Sequence, residues 1–144
     1  MSYPIERQVC SLGQAKRLAE LLGDDAPESL ICWVNWDGDD LQWELASDSE
    51  STEANISLPA YTGDELGALL PSVIEKDEIQ YYIRFFRTLY DNKFKAGYLK
   101  TYSDWSGKLC GNRGETEAQA KAALAIQGLE KDWFKKEDFN YGLS

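Results

Sequence analysis

The chain has 144 residues, 43% of them hydrophobic, with 25 acids against 15 bases, no histidine and a formal net charge of −10. That length and apolar content predict one domain over residues 1–144 with a real core, able to bury about two-thirds of its unfolded surface. No apolar run approaches the roughly 20 residues of a membrane span. The start, MSYPIERQVC, lacks a basic stretch followed by an apolar one, so neither a membrane segment nor a signal peptide is expected.

In chain order, the first element is a helix from about Leu12 to Leu22. Ser11 is its cap, Gln14 completes a capping box, and Gly23 is the stop. Leu12, Ala15, Leu18, Ala19 and Leu22 form its apolar stripe. LICWVNW, Leu30 to Trp36, is a short buried strand. Asp37 to Asp40 has hairpin chemistry, and Leu41, Trp43 and Leu45 alternate with polar residues on a returning strand. Ser47 to Asn55 is polar and acidic, expected as a mobile loop, with a short extended piece at Ile56 to Leu58. A second helix runs from Gly63 to Leu70, capped by Thr62 with Glu65 and stopped by Pro71. Ile79 to Tyr90 is the longest strand candidate, rich in aromatic and β-branched residues. DNK makes the turn and Phe94 to Tyr102 returns, with a further strand over Trp105 to Cys110. The last helix is capped by Thr116 with Gln119 and carries a stripe of Ala118, Ala122, Ile126, Leu129 and Trp133. Gly128 is placed to end it early, while Phe139 and Tyr141 of the tail are candidates to dock. The pattern is α+β: an antiparallel sheet covered by helices in an α/β/α sandwich, with about three helices and five to six strands.

Charge is lopsided along the chain. Residues 1–78 hold 17 acids and 4 bases, whereas residues 79–144 hold 8 acids and 11 bases. Between Ile79 and Arg113, seven bases stand against two acids, and nine of the 18 aromatics fall in the same stretch. Cations interleaved with flat rings suit an anionic, planar ligand such as a nucleotide. The acidic first half opposes a long polyanion, so nucleic acid is not the expected partner. The same asymmetry suits self-association, one copy's acidic face meeting another's basic strands.

Much chemistry is missing. Without histidine there is no histidine-based triad and no HExxH zinc site. Cys10, Cys32 and Cys110 are odd in number and lack metal spacing, which points to free, mostly buried thiols in a reducing cytosol. GKLCGNRG, Gly107 to Gly114, lacks the order of a phosphate loop and reads as a Gly-rich turn before the last helix. A calcium loop starting at Asp37 would need Gly and Glu where Gln42 and Asp48 stand. The carboxylate pairs Asp64 with Glu65 and Asp77 with Glu78 occupy adjacent positions that do not face each other on a helix. No catalytic residue, metal ligand or cofactor is therefore expected.

On the strand from Ile79, alternation sends Ile79, Tyr81, Ile83, Phe85, Arg87 and Leu89 to one face and Gln80, Tyr82, Arg84, Phe86, Thr88 and Tyr90 to the other. The first set reads as core. Cross-strand aromatic pairing and edge-blunting lysines account for much of this hairpin as plain structure. The functional reading makes Tyr82, Arg84, Phe86, Tyr98, Lys100, Tyr102, Trp105 and Arg113 a ligand site, rings stacking on a base while arginine forks meet phosphate oxygens.

Three segments carry a resemblance: VCSLGQAKRLAELLG (Val9 to Gly23) followed by ICWVNW, LPAYTGDELGALLP (Leu58 to Pro71), and GETEAQAKAALAIQGLE (Gly114 to Glu130). Together they cover about half the chain and resemble the phage ABA-sandwich type of small phage and prophage proteins. The resemblance implies an α/β/α arrangement, phage origin and an accessory role in the host cytosol. Some similarly small, often oligomeric phage proteins are sponges for nucleotide alarm signals of host immunity. The expected function is thus sequestration, without catalysis, of a small anionic nucleotide-derived ligand by a homo-oligomer with no membrane partner. The alternatives are an acidic inhibitor that docks a basic host protein through Asp24, Asp25, Glu28, Asp37, Asp39, Asp40 and Glu44, and a metal-dependent hydrolase of such a signal.

Overall fold

The computed structural model describes residues 7–23, 26–37, 42–87, 93–100 and 108–139, with the backbone alone over 108–112. Helix α1 spans Leu12–Leu22. The Gln14 N–H donates to Ser11 Oγ at 3.2 Å and the Ser11 N–H to Gln14 Oε1 at 3.1 Å, the reciprocal cap that the sequence predicts. Strands β1 (Ile31–Asn35) and β2 (Glu44–Ser47) follow. The expected mobile loop begins instead as a single helical turn, α2 (Asp48–Ser51), with Ser47 as its cap. After β3 (Ile56–Pro59), helix α3 (Gly63–Leu69) starts on the expected Thr62–Glu65 box. Glu65 also accepts from the Ser29 hydroxyl at 2.7 Å and the Leu30 N–H at 3.1 Å, so the cap of α3 also holds the entry to β1.

Strand β4 (Val73–Lys76) has no counterpart in the sequence reading. It pairs with β5 (Ile79–Arg87) through a two-residue turn in which Asp77 and Glu78 have φ of 55° and 68°. Both central residues are left-handed, the geometry of a primed hairpin turn that Asn-Gly or Asp-Gly usually announces. Here Glu takes the second place and hides the signal. Strands β6 (Phe94–Leu99) and β7 (Lys108–Gly114) complete this sheet. The GKLCGNRG segment is therefore largely strand rather than turn. A Cβ on Gly114 would sit 2.5 Å from the Ala120 backbone N, so glycine permits the close approach of β7 to the last helix. Of the expected DGDD connection (Asp37 to Asp40) only Asp37, and of the DNK turn only Lys93, is among the described residues, and Tyr90, Tyr102, Trp105 and Tyr141 lie outside them.

The α+β class with antiparallel strands and packed helices is as expected. The strands divide between two sheets, one in the order β2-β1-β3 and one in the order β4-β5-β6-β7. Helix α4 (Glu117–Glu130) packs on β6 and β7 and contacts α1 and α3, while α1 also packs on β3. The two sheets are thus joined through helices. Ala118, Ala120, Lys121, Ala122, Leu124, Ala125 and Gly128 are buried along α4, an arc wider than one amphipathic stripe. Gly128 does not end the helix. It leaves room for Phe134, whose Cε1 would lie 2.1 Å from a Cβ there. The tail docks through Phe139, whose ring lies 5.7 Å from that of Phe134, which in turn is 5.9 Å from Tyr98.

The strained turn makes a stability prediction. Left-handed backbone costs a non-glycine residue about 1 kcal/mol, so Glu78→Gly should raise the urea midpoint, worth roughly 0.5–1 kcal/mol. An unchanged or lowered midpoint would mean that the turn does not hold Glu78 at positive φ.

Candidate functional site

Register decides which predicted site residues meet. On β5 and β6, Tyr82 faces Leu99, Arg84 faces Gly97 and Phe86 faces Lys95, and on β7 Arg113 faces Lys95. Tyr82, Arg84, Phe86 and Arg113 thus share the outer face of the four-stranded sheet. There the Arg84 guanidinium carbon lies 6.0 Å from the Tyr82 ring centre, and Nη1 donates to the Ile83 carbonyl at 2.7 Å. Tyr98 is a correction. It pairs with Ile83, which puts its ring on the opposite, helix-packed face, and it is wholly buried with its hydroxyl donating to the Pro71 carbonyl at 2.7 Å. A one-residue difference in register separates it from the face expected of it. Lys100 is exposed just beyond β6, and Tyr102 and Trp105 lie outside the described residues.

The cavity richest in cations and rings lies at the far end of the helix-packed face. It measures about 220 Å³, lined by Phe85, Phe86, Arg87, Phe94 and Lys95 of the hairpin and by Glu117, Ala120 and Lys121 of α4. Among the described residues, Phe86 alone of the predicted site residues is in its lining. Phe85 and Arg87, which alternation assigns to the core, stay partly open because α4 begins only at Glu117. The Arg87 guanidinium carbon lies 5.4 Å from the Phe94 ring centre, and Lys121 Nζ lies 4.4 Å from that of Phe85.

Lys121 is the residue that sequence reasoning missed. It is only 5% exposed, and its Nζ donates to the Gly63 carbonyl at 3.1 Å and to Glu117 Oε1 at 2.5 Å. Gly67 on α3 makes this possible, since a Cβ there would sit 2.9 Å from Nζ. The available signal is a single lysine next to Ala122 of the predicted stripe, four residues after a glutamate.

A second cavity of about 550 Å³ adjoins the first. Phe94 and Glu117 line both, and Arg7, Leu30, Asp64 and Glu65 are among the remaining walls. Leu30 is 76% exposed, an apolar side chain at the mouth. Of the acidic cluster expected to dock a host protein, Asp24, Asp25, Asp39 and Asp40 lie outside the described residues.

The two thiols among the described residues are poor nucleophiles. Cys10 and Cys32 are free and buried, and burial pushes the Cys10 thiol up to about 11, with the Cys32 thiol raised for the same reason. Among the described residues, no group of three or more acidic, cysteine or histidine side chains is placed to hold a metal ion, and no helix is long and apolar enough to cross a membrane. Comparison with protein-family models, curated proteins and solved structures gives no match to the chain. Function is therefore argued from the site itself.

Burial of Cys10 makes a prediction with a definite sign. The unfolded thiol ionises near 9.0 and the folded one only near 11, so the unfolded chain sheds its proton first as pH rises. Cys10 therefore lowers stability progressively from pH 9 to about 11. Urea midpoints at pH 8 and pH 10.5 should show a drop that is smaller in Cys10→Ala; an equal drop in both would contradict the assignment.

Proposed function

We propose that the protein binds a small anionic ligand bearing a flat ring, of the nucleotide class, and sequesters it without turnover. The observation that carries this reading is one concave site where Arg87 and Lys121 converge with the rings of Phe94 and Phe85. A guanidinium can grip phosphate oxygens bidentately, and the phenyl faces offer a base a stacking surface. Each such charged hydrogen bond contributes about 1.5–3 kcal/mol and each ring contact about 1 kcal/mol. A handful of them supports micromolar binding. The cavity of about 220 Å³ is small for a whole nucleotide, and the adjoining 550 Å³ supplies the remaining space. The absence of histidine from the chain favours holding a ligand over transforming it.

The test is to incubate the protein with mononucleotides, cyclic mononucleotides and cyclic dinucleotides, wash it, denature it and identify what is released. An intact nucleotide is the expected outcome. A chemically altered product would make the protein an enzyme, and no retention across the panel would remove the reading altogether. Arg87→Ala should weaken binding at least about tenfold by calorimetry, the loss of one charged contact. Arg84→Ala, on the outer face, should leave it within about twofold. The reverse pattern would move the site to the outer face of the sheet.

A further inference from the structure

Glu117 stands in an odd place for a site that is to hold an anion. Its carboxylate meets Lys121 Nζ at 2.5 Å in the cavity wall, where a ligand's phosphate would have to approach the same ammonium. With Phe94 it also lines both cavities and so stands where the two adjoin. The two partners differ in freedom, because the Lys121 side chain is 7% exposed and that of Glu117 is 49% exposed. Lys121 is held by the Gly63 carbonyl and slotted beside Gly67, whereas Glu117 has an open path to solvent. Gly63 confines the carboxylate on its other side, since a Cβ there would lie 3.2 Å from Glu117 Cγ and 3.3 Å from Cδ.

Building on the nucleotide-binding reading, we infer that Glu117 is a displaceable internal counter-ion. It occupies the anion position against Lys121, and the ligand's phosphate takes that position by swinging the carboxylate out to solvent. A buried ammonium with no anion is strongly disfavoured, so exchanging one anion for another keeps it compensated throughout. The same swing removes part of the wall between the cavities, giving the phosphate the smaller one and the ring the larger. Glu117 thereby sets a threshold: only a ligand with its own negative charge can replace it, and an uncharged ring compound leaves the ion pair intact. Affinity for the anion is reduced by the cost of displacing Glu117, which makes this residue the selector for charged over neutral ligands.

The experiment measures binding of AMP and of adenosine by calorimetry to the wild-type protein, Glu117→Gln and Gly63→Ala, with far-UV circular dichroism confirming each fold. Glu117→Gln should bind AMP about tenfold more tightly and adenosine no differently. Gly63→Ala keeps both charges but crowds the glutamate, and should shift AMP affinity in the same direction by a smaller factor. If the wild type binds AMP and neither variant binds it more tightly, the counter-ion role is overturned while nucleotide binding stands. An equal gain for adenosine would also overturn it, because the effect would then be one of space rather than charge. If neither the wild type nor the variants bind AMP, both the site and the role of Glu117 fall together.

Discussion

Helices and the four-stranded sheet meet on one helix that is buried on more than one side. Helix α4 packs on β6 and β7 and also contacts α1 and α3. Such a position demands small side chains, because each neighbour must come close without steric conflict. Ala118, Ala120, Ala122, Ala125 and Gly128 meet that demand, and Leu124 adds the bulk that fills the centre. Polar ties fix the arrangement at its ends. The Gln14 amide donates to the Gln119 carbonyl at 2.9 Å, and Arg17 meets Glu130 at 3.4 Å on the surface. The first tie satisfies a partly buried polar group; the second is exposed and contributes little.

Placing a lysine in that helix is costly unless its head group is compensated, and the fold provides for it from two elements at once. The carbonyl of Gly63 comes from α3 and the carboxylate of Glu117 from one turn earlier in α4. Replacing Lys121 by an apolar residue would be the simpler solution for stability alone. Its position against an open cavity, over the face of Phe85, is what connects the packing of α4 to the proposed ligand site.

The sequence made the local chemistry legible and left the long-range placement hidden. Ser11 with Gln14, Thr62 with Glu65 and Thr116 with Gln119 mark three helix starts where caps form, because a cap depends on residues three apart. The docking of Phe139 was likewise readable as an apolar ring in a polar tail. Strand β4 was not, since Asp77-Glu78 is a turn without glycine. Tyr98 was assigned to the wrong face because its direction depends on register with Ile83, which alternation within one strand cannot set. The cavity was hidden for a deeper reason: it forms where Arg87 meets a helix that begins 30 residues later at Glu117, a juxtaposition that belongs to the tertiary fold alone. The sign change after Ile79 marks the hairpin that lines this cavity, and packing puts the cavity on the face opposite the one singled out from the sequence.

Charge distribution also bears on the size of ligand. A polyanion must lay successive phosphates along a continuous basic surface, and each unneutralised phosphate near a carboxylate opposes binding. Here the smaller cavity, with Arg87, Lys95 and Lys121 in its wall, adjoins one walled by Asp64, Glu65 and Glu117, where Arg7 is the one base among the described residues. One phosphate, or a compact pair, can sit against those cations with its ring directed toward Phe94 and Leu30. A second phosphate several ångströms farther along would meet three carboxylates against Arg7 alone among the described residues. The same acidic wall would oppose a strand of nucleic acid and would offer acceptors to the amino and ring N–H donors of a base. The geometry therefore favours a ligand with one charged end and one polar, planar end.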